Sequence, residues 1–408
     1  MLIFVFTEIY PSQYKPYFDT QFEQFLKDGH SLKIFSSRAQ GINFSDKVKL
    51  LKLDKYTSHT PSTLRALSKT WVPILTNLLR NPLQRINAAI RIYNKELSFK
   101  QYFMQAMRML SLPLEEPDLC LVHNLTTAVQ FTFLRDMYHA CPTAFYYHGG
   151  EVAGFPEISK NESKRGFAAP DYVFTNTESS RAHAISRGCD AEKITVCPVG
   201  FNLSEFDADE IKEYRRNNIL RLLTIGRMSE EKGHTFALKA INGLITAGYN
   251  NIHYKLIGDG PLLDELKNYV QKHGIEEYVE FIGHVSRNTL YAELKNADVH
   301  LLPSIVLGTW QENQACVVQE AMFFKTLVIN STAGGVPEST APIMRQYCVE
   351  PENVQVIIDN ILKLLATRDD ELREMGEQCR AFALEKYNIE TLNQQMLSVC
   401  MRQGKQGR

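Results

Sequence analysis

Short apolar runs that end in small, polar or charged residues recur along the chain, and this recurrence restricts the fold more than any other feature. They include Leu2–Phe6, Leu32–Phe35, Leu119–His123, Thr143–Tyr147, Arg221–Ile225, His253–Ile257, Val279–Ile282, Val299–Pro303 and Thr326–Ile329. Each is too short for an ordinary helix and reads as a buried strand. Continuous apolar character, rather than alternation, is what a parallel sheet covered on both faces requires. Helical patterns lie between the runs. The first carries Phe18, Phe22, Phe25 and Leu26 on one face and stops at Gly29. The expected fold class is therefore α/β, built from strand–loop–helix–strand units of the doubly wound kind. Open sheets of this class bind ligands at the carboxyl ends of their strands, so the loops there are where chemistry is sought.

A chain of 408 residues is too long for one ordinary core, and two domains are expected. The polar, charged segment from Ser204 to Asn218 is the clearest boundary. It divides an N-terminal domain, 1–204, from a second domain, 205–382, with a helical tail over 383–408. A net charge of −1 gives no global signal for nucleic acid. No apolar run reaches the length of about 18 residues expected of a membrane span. Met1–Phe6 lacks a basic lead and a small-residue cleavage site, so it is expected to be a first strand and not a signal peptide. The eight cysteines are scattered with no C-x-x-C, which argues against zinc and a disulfide framework and fits a reducing cytoplasm.

Residues 62–110 differ from their surroundings. Eight basic residues, Arg65 to Arg108, face one acid, Glu96, and apolar residues such as Trp71, Ile74, Leu75 and Leu79 are interleaved with them. Pro73 and Pro82 are expected to break the stretch into short helices. These are either helices with solvated basic faces that cover the first sheet, or a basic amphipathic surface that meets an anionic membrane or a lipid diphosphate.

The loop after Val299–Pro303 leads into a buried helix from about Ala315. Glu312 is expected at the mouth of that helix and Glu320 about two turns inside. A carboxylate at the mouth is favoured by the positive helix end. Glu320, among Val317, Val318, Ala321 and Met322, needs a partner if buried, and ribose hydroxyls would serve. The plainer alternative is a capping Glu plus a helix Glu in a salt bridge. After Arg221–Ile225, Gly226-Arg227 and Lys232-Gly233 flank a loop that feeds a helix; flexible backbone, two cations and free N–H groups suit a diphosphate. Alternatively, Glu230 and Glu231 neutralise those cations. Gly258-Asp-Gly-Pro261 has Leu263 where a dinucleotide fingerprint has its third glycine, and the first loop of the chain has no such fingerprint. Gly334-Gly335 is an anion-capable turn or a tight connection. His148 precedes Gly149 and Gly150 at a strand end, where glycine admits a ligand to the backbone. His123 reads as a core histidine bonded to a neighbouring carbonyl.

Taken together, Gly226-Arg227-x₄-Lys232-Gly233, Gly258-Asp-Gly-Pro261, Phe281-x-Gly283, Leu301-Leu-Pro-Ser304, Glu312-x₇-Glu320-Ala-Met and Gly335-Val-Pro-Glu338 resemble the glycosyltransferases of family 4, of the bacterial exopolysaccharide or colanic-acid type. The resemblance is strongest from Asp171 to Glu338 and does not cover 62–110. It implies a GT-B architecture: two Rossmann-like domains facing across a cleft, with a final helix crossing back to the first. It implies retaining, metal-independent transfer of a hexose-type sugar from a UDP- or GDP-linked donor, without a further cofactor. Arg227 and Lys232 would bind the diphosphate, and Glu320 the ribose. Glu312 and the backbone of Asn313, Gln314 and Ala315 would hold the sugar and its phosphate. Gly283, His284 and Val285 would lie by the base, and His148 would face the transferred sugar. The expected acceptor is a lipid-linked glycan of exopolysaccharide, capsule or lipopolysaccharide assembly, used by a cytoplasmic enzyme peripheral to the membrane. A soluble acceptor and a non-catalytic nucleotide-binding role are the alternatives. The family usually has Gly or Ser where this chain has Asn313, a residue that tolerates the left-handed conformation.

Overall fold

Two parallel sheets, each wrapped in helices, account for the recurring apolar runs. A computed structural model describes the whole chain except residues 12–15, 39–45, 62–66, 81, 84–88, 91–96, 150–157, 204–218, 309 and 403–408. The chain divides into two units. One holds Met1–Asn176, Arg181–Cys197 and Ile389–Arg408; the other holds Thr177–Ser180 and Pro198–Asn388.

The first unit contains strands β1 (Leu2–Ile9), β2 (Ser31–Arg38), β3 (Thr57–His59), β4 (Leu119–His123), β5 (Thr143–Tyr147), β6 (Tyr172–Thr175) and β7 (Ile194–Val196). They form one sheet in the order β3-β2-β1-β4-β5-β6-β7, with every pairing parallel. Successive side chains of a strand point to opposite faces, so β1 feeds two cores. Phe4 and Phe6 pack with Phe35 and Phe131 on one face, while Ile3 and Val5 pack with Phe18, Phe22 and Phe25 on the other. That is why the run is apolar throughout.

The helix Pro16–Lys27 supplies those phenylalanines, and Gly29 follows at φ 77°. The helix Ile389–Arg402 lies against it: Leu392, Met396 and Cys400 share the Phe18–Phe22 core, and Gln21 Nε2 donates to Asn393 Oδ1 at 3.3 Å. The tail is two helices, Asp369–Lys386 and Ile389–Arg402, separated at Tyr387 and Asn388. Tyr387 is buried, its hydroxyl donates to the Ser339 carbonyl at 3.0 Å, and Phe201 N donates to its carbonyl at 2.9 Å. This anchor also explains where the units divide. The sequence places the boundaries at 204 and 382; apart from Thr177–Ser180, which sit in the second unit, the chain passes between units at 197/198 and 388/389, and Phe201 and Tyr387 both belong to the second core.

Pro73 does not break its helix. Leu67–Arg80 is continuous through it, and Ile74 and Leu78 pack on the first core. That burial offsets the backbone hydrogen bond a proline forfeits. Pro82 lies in a described helical pair of residues, but most of the basic positions around it fall outside the described residues. Arg108, counted among the basic residues of that stretch, is buried in the helix Phe99–Ser111 and does not contribute to a solvated face.

The second unit contains β8 (Leu220–Ile225), β9 (Ile252–Ile257), β10 (Val279–Gly283), β11 (Val299–Leu302) and β12 (Leu327–Asn330). Their order is β10-β9-β8-β11-β12, again all parallel. One apolar cluster gathers Leu222, Leu223, Leu256, Leu301, Val328 and Ile329 from these strands. In each sheet the strand order reverses beside the first strand: between β1 and β4, and between β8 and β11. Loops from such neighbours diverge to opposite faces and open a crevice at the carboxyl edge.

Candidate functional site

The crevice of the second unit is flanked by the loop after β8, Gly226–Gly233, and the loop after β11, Pro303–Ala315. A short 3₁₀ turn, Glu230–Lys232, ends at Gly233, which has φ 69° and leads into the helix His234–Thr246. A Cβ on Gly233 would lie 1.9 Å from the Pro303 carbonyl oxygen. Only glycine lets the two loops approach this closely. Ile305 N donates to Glu231 O at 2.9 Å and completes the junction.

The junction puts Lys232 against Glu312. Their side chains form an ion pair and are 21% and 10% exposed. Ser304 Oγ donates to the same Glu312 oxygen at 3.3 Å, and the Lys232 ammonium lies 5.7 Å from the Trp310 ring centre. Glu312 lies four positions before the helix Cys316–Phe323. It therefore belongs to the loop ahead of the helix mouth where the sequence places it, and Glu320 lies about one turn into the helix rather than two.

Arg227 takes a different partner. Its Nε donates to Ser229 Oγ at 3.2 Å and an Nη to Glu231 Oε1 at 3.2 Å, while Ser229 Oγ donates to Glu231 Oε1 at 2.6 Å. Burial works to raise the Glu231 carboxyl, but the Ser229 hydrogen bond and the charges of Arg227 and Lys232 outweigh it and hold it below its ordinary value. Glu231 thus pairs with Arg227, whose side chain keeps 41% of its surface exposed. His234 is buried and its Nε2–H donates to the Arg227 carbonyl at 3.0 Å. Burial lowers its pKa to about 4, so it is neutral at pH 7.

The residues after Glu312 are fixed by their side chains. Asn313 Oδ1 accepts from Thr177 Oγ1 at 2.6 Å and from Ser180 Oγ. Gln314 forms two hydrogen bonds of 2.8 Å with the backbone of Val199. Asn313 does not occupy the left-handed region that its residue type allows; its amide is an anchor. Gly334 and Gly335 press on this segment from below. A Cβ on Gly334 would lie 2.0 Å from Glu312 O, and Gly335 N donates to that oxygen at 3.1 Å. Ala315 caps the helix Cys316–Phe323 without a side-chain bond. The first-turn N–H groups therefore depend on another partner. Cys316, at the start of that helix, connects the parts. Burial first, then Glu320 and Glu312, push its thiol up to about 12, with Lys232 acting against them.

Glu320 has a partner in this structure, Arg287, whose Nη lies 3.5 Å from its carboxylate. Arg287 also donates to the Tyr291 hydroxyl and lies 5.3 Å from that ring centre. It starts the helix Arg287–Asn296, which Ser286 caps just after Gly283-His284-Val285. Gly283 has φ 81° and accepts from Gly258 N at 2.9 Å. His284 is exposed and Val285 half-buried against the core. Glu320, Arg287 and the 283–285 loop thus lie together beyond Cys316 from the Lys232–Glu312 pair.

The first unit holds His148. Its Nε2 lies 3.0 Å from His123 Nδ1, and the two rings stack 5.3 Å apart. Tyr146 stacks on His148 at 4.8 Å, with Tyr17 5.1 Å away. Only one of the two facing ring nitrogens carries a hydrogen in this contact, which orients the His148 ring. Gly150 and Glu151 lie outside the described residues.

Sequence reasoning gave no role to Arg287 or to the Thr177–Ser180 anchor, carried Ser304 only within a motif, and read His123 as bonded to a carbonyl where the structure brings it to His148. Arg287 and Glu320 are separated by more than thirty residues, and nothing local links them. His123 carries a usable signal: β4 and β5 are apolar runs that both end near a histidine, and neighbouring parallel strands bring such ends together.

The comparisons divide along the same lines. Residues 206–382 match the family of glycosyl transferases group 1. The colanic acid biosynthesis glycosyltransferase WcaL of Salmonella typhimurium is 24% identical over 260 residues, covering 63% of this chain and 63% of WcaL. The amylovoran biosynthesis glycosyltransferase AmsK of Erwinia amylovora is 29% identical over 226 residues, covering 53% of this chain and 54% of AmsK. The chain thus spans less than two thirds of either relative. The crystal structure of Anabaena HepE in complex with UDP superposes with a TM-score of 0.68 at 15% identity, over 98% of both chains. That likeness is one of fold.

Proposed function

We propose that the protein is a retaining, metal-independent hexosyltransferase acting on a nucleotide diphosphate sugar, a reading supported by the match of residues 206–382 to the glycosyl transferases group 1 family and by the GT-B fold of two Rossmann-like units. The observation that carries the reading is the crevice of the second unit. Two cations, Lys232 and Arg227, stand at its mouth, and a carboxylate, Glu320, stands beside a separate loop about one helical turn further in.

A donor diphosphate would draw Lys232 away from Glu312, and Arg227 would offer its exposed guanidinium beside it. Together they would offset the charge that develops on the leaving group. Glu320 would accept ribose hydroxyls, with Arg287 holding its carboxylate in place. Gly283, His284 and Val285 would border the base. Glu312, released from Lys232, would hold the sugar, and the backbone N–H groups at the start of the helix Cys316–Phe323 would meet its phosphate. Same-face transfer needs no separate carboxylate base, because the departing phosphate oxygen takes the acceptor proton. In the first unit, His148 would be a sugar contact oriented by His123.

The names of WcaL and AmsK support exopolysaccharide assembly, and the UDP bound to HepE supports UDP as the donor nucleotide. For the acceptor, the helix Leu67–Arg80 is informative. Trp71 is 56%, Leu75 45% and Leu79 73% exposed on it, and the flanking sequence is basic. An apolar stripe edged by cations suits the surface of an anionic membrane, and with it a lipid-linked glycan used by an enzyme peripheral to the cytoplasmic leaflet.

The test is thermal unfolding with UDP, GDP, ADP, CDP and dTDP, on the wild type and on Glu320→Ala. One nucleotide should stabilise the wild type, with the gain lost in the variant. No stabilisation by any nucleotide overturns the reading.

A further inference from the structure

We infer that the first unit contains a recognition site for the anionic group of a saccharide, centred on Arg108. A cavity of about 680 Å³ opens beside the carboxyl end of β1, walled by the helices Phe99–Ser111, Leu125–Gln130 and Lys160–Ala168. Arg108 lines it. This residue is 6% exposed, and its Nε donates to the Pro61 carbonyl at 3.1 Å. Burial lowers its pKa to about 10, which leaves the guanidinium charged at neutral pH.

Among the described residues no carboxylate pairs with it. The two acids on the cavity wall are already occupied. Glu8 pairs with Arg38 at 3.1 Å, and Glu162 forms a capping box with Ser159 and accepts from Gln101. Arg165, on the same wall, has no ion pair among the described residues either. A buried cation is costly unless something opposite in charge meets it. Pro61 takes the Arg108 Nε–H, and the guanidinium of a residue that lines the cavity would meet a carboxylate or phosphate there in a two-pronged contact.

The rest of the wall points to a sugar as the carrier of that anion. Gln101, Thr126 and Gln130 offer amides and a hydroxyl, the groups that exchange hydrogen bonds with ring hydroxyls, and the volume holds a saccharide rather than a bare ion. On the transferase reading, this ligand is the acceptor, and it carries a uronate carboxylate or a sugar phosphate.

Calorimetric titration of the full chain with D-glucuronate, glucose 6-phosphate, glucose and inorganic phosphate tests this, with UDP titrated in parallel. Glucuronate or glucose 6-phosphate should bind, the tighter of the two identifying the anion, and glucose and inorganic phosphate should each bind at least about tenfold more weakly. Arg108→Gln should abolish that binding and Arg165→Gln weaken it about tenfold, with UDP affinity unchanged in both. If Arg108→Gln does not fold, Arg165→Gln decides alone. Glucose binding as tightly as the sugar anion, inorganic phosphate matching it, or no loss in Arg165→Gln overturns the inference. Wild-type protein that binds the sugar anion but no UDP leaves this site standing and sinks the transferase reading.

Discussion

Lys232 and Glu312 hold each other before any donor arrives, and that competition sets the sign of two predictions. Glu312→Gln removes the carboxylate that a diphosphate must displace, so UDP should bind several-fold more tightly by calorimetry while sugar transfer falls by about 10²-fold or more. Lys232→Met loses the cation and strands a carboxylate in a mostly buried position. Its UDP affinity should drop, and its urea midpoint should fall by an amount equivalent to about 2 kcal/mol. The buried histidines set a pH dependence. His300 is buried in β11, neither ring nitrogen is hydrogen-bonded among the described residues, and burial lowers its pKa to about 3; that of His234 is lowered to about 4. Both values lie below the unfolded value of 6.5, so between them the unfolded chain binds more protons. The stability due to neutral imidazoles is full above pH 6.5 and drains away as pH falls toward 3–4. His300→Leu should therefore be more stable than wild type at pH 5 in urea titrations, with the gap narrowing at pH 8.

The elements meet through backbone at glycines, and two of these separate conformation from crowding. Gly233 and Gly274 share a positive φ, 69° and 64°, but only Gly233 has a neighbour where a Cβ would go. Gly274→Ala should cost about 1–2 kcal/mol, the price of the left-handed conformation alone. Gly233→Ala must also push back the Pro303 carbonyl, so it should cost several times as much and lose UDP binding because Lys232 shifts with the loop. Equal urea midpoints for the two variants would show that the loop after β11 yields. Elsewhere, tertiary contact decided the ends of elements. Pro73 is carried inside a helix by Ile74 and Leu78, and the tail breaks at Tyr387 because that side chain is claimed by the second core.

The whole molecule has two independent sets of core residues. The clusters of the first unit and that of the second share no side chain. Differential scanning calorimetry should therefore resolve two transitions, with UDP raising one and leaving the other in place. A single transition that moves as a whole would mean that the units unfold together. At this scale, too, Trp71, Leu75 and Leu79 present one apolar stripe to solvent. Trp71→Glu with Leu79→Glu should cut sedimentation with anionic vesicles several-fold while calorimetric UDP affinity stays constant; unchanged sedimentation would reduce the helix to a cover for the first sheet.

By itself the sequence determined the α/β class, the nine apolar runs that became strands and the glycine- and charge-bearing loops that follow them. Strands buried on both faces need unbroken apolar runs, and tight loops between them need glycine, so each of these signals is local. Only the tertiary structure decided the partners. Arg287 reaches Glu320, Glu231 takes Arg227 so that Lys232 turns to Glu312, Thr177 and Ser180 hold Asn313, and His123 orients His148. Each of these choices depends on which strands become neighbours in the sheet and how closely their loops approach, and no spacing along the chain encodes a distance across a crevice.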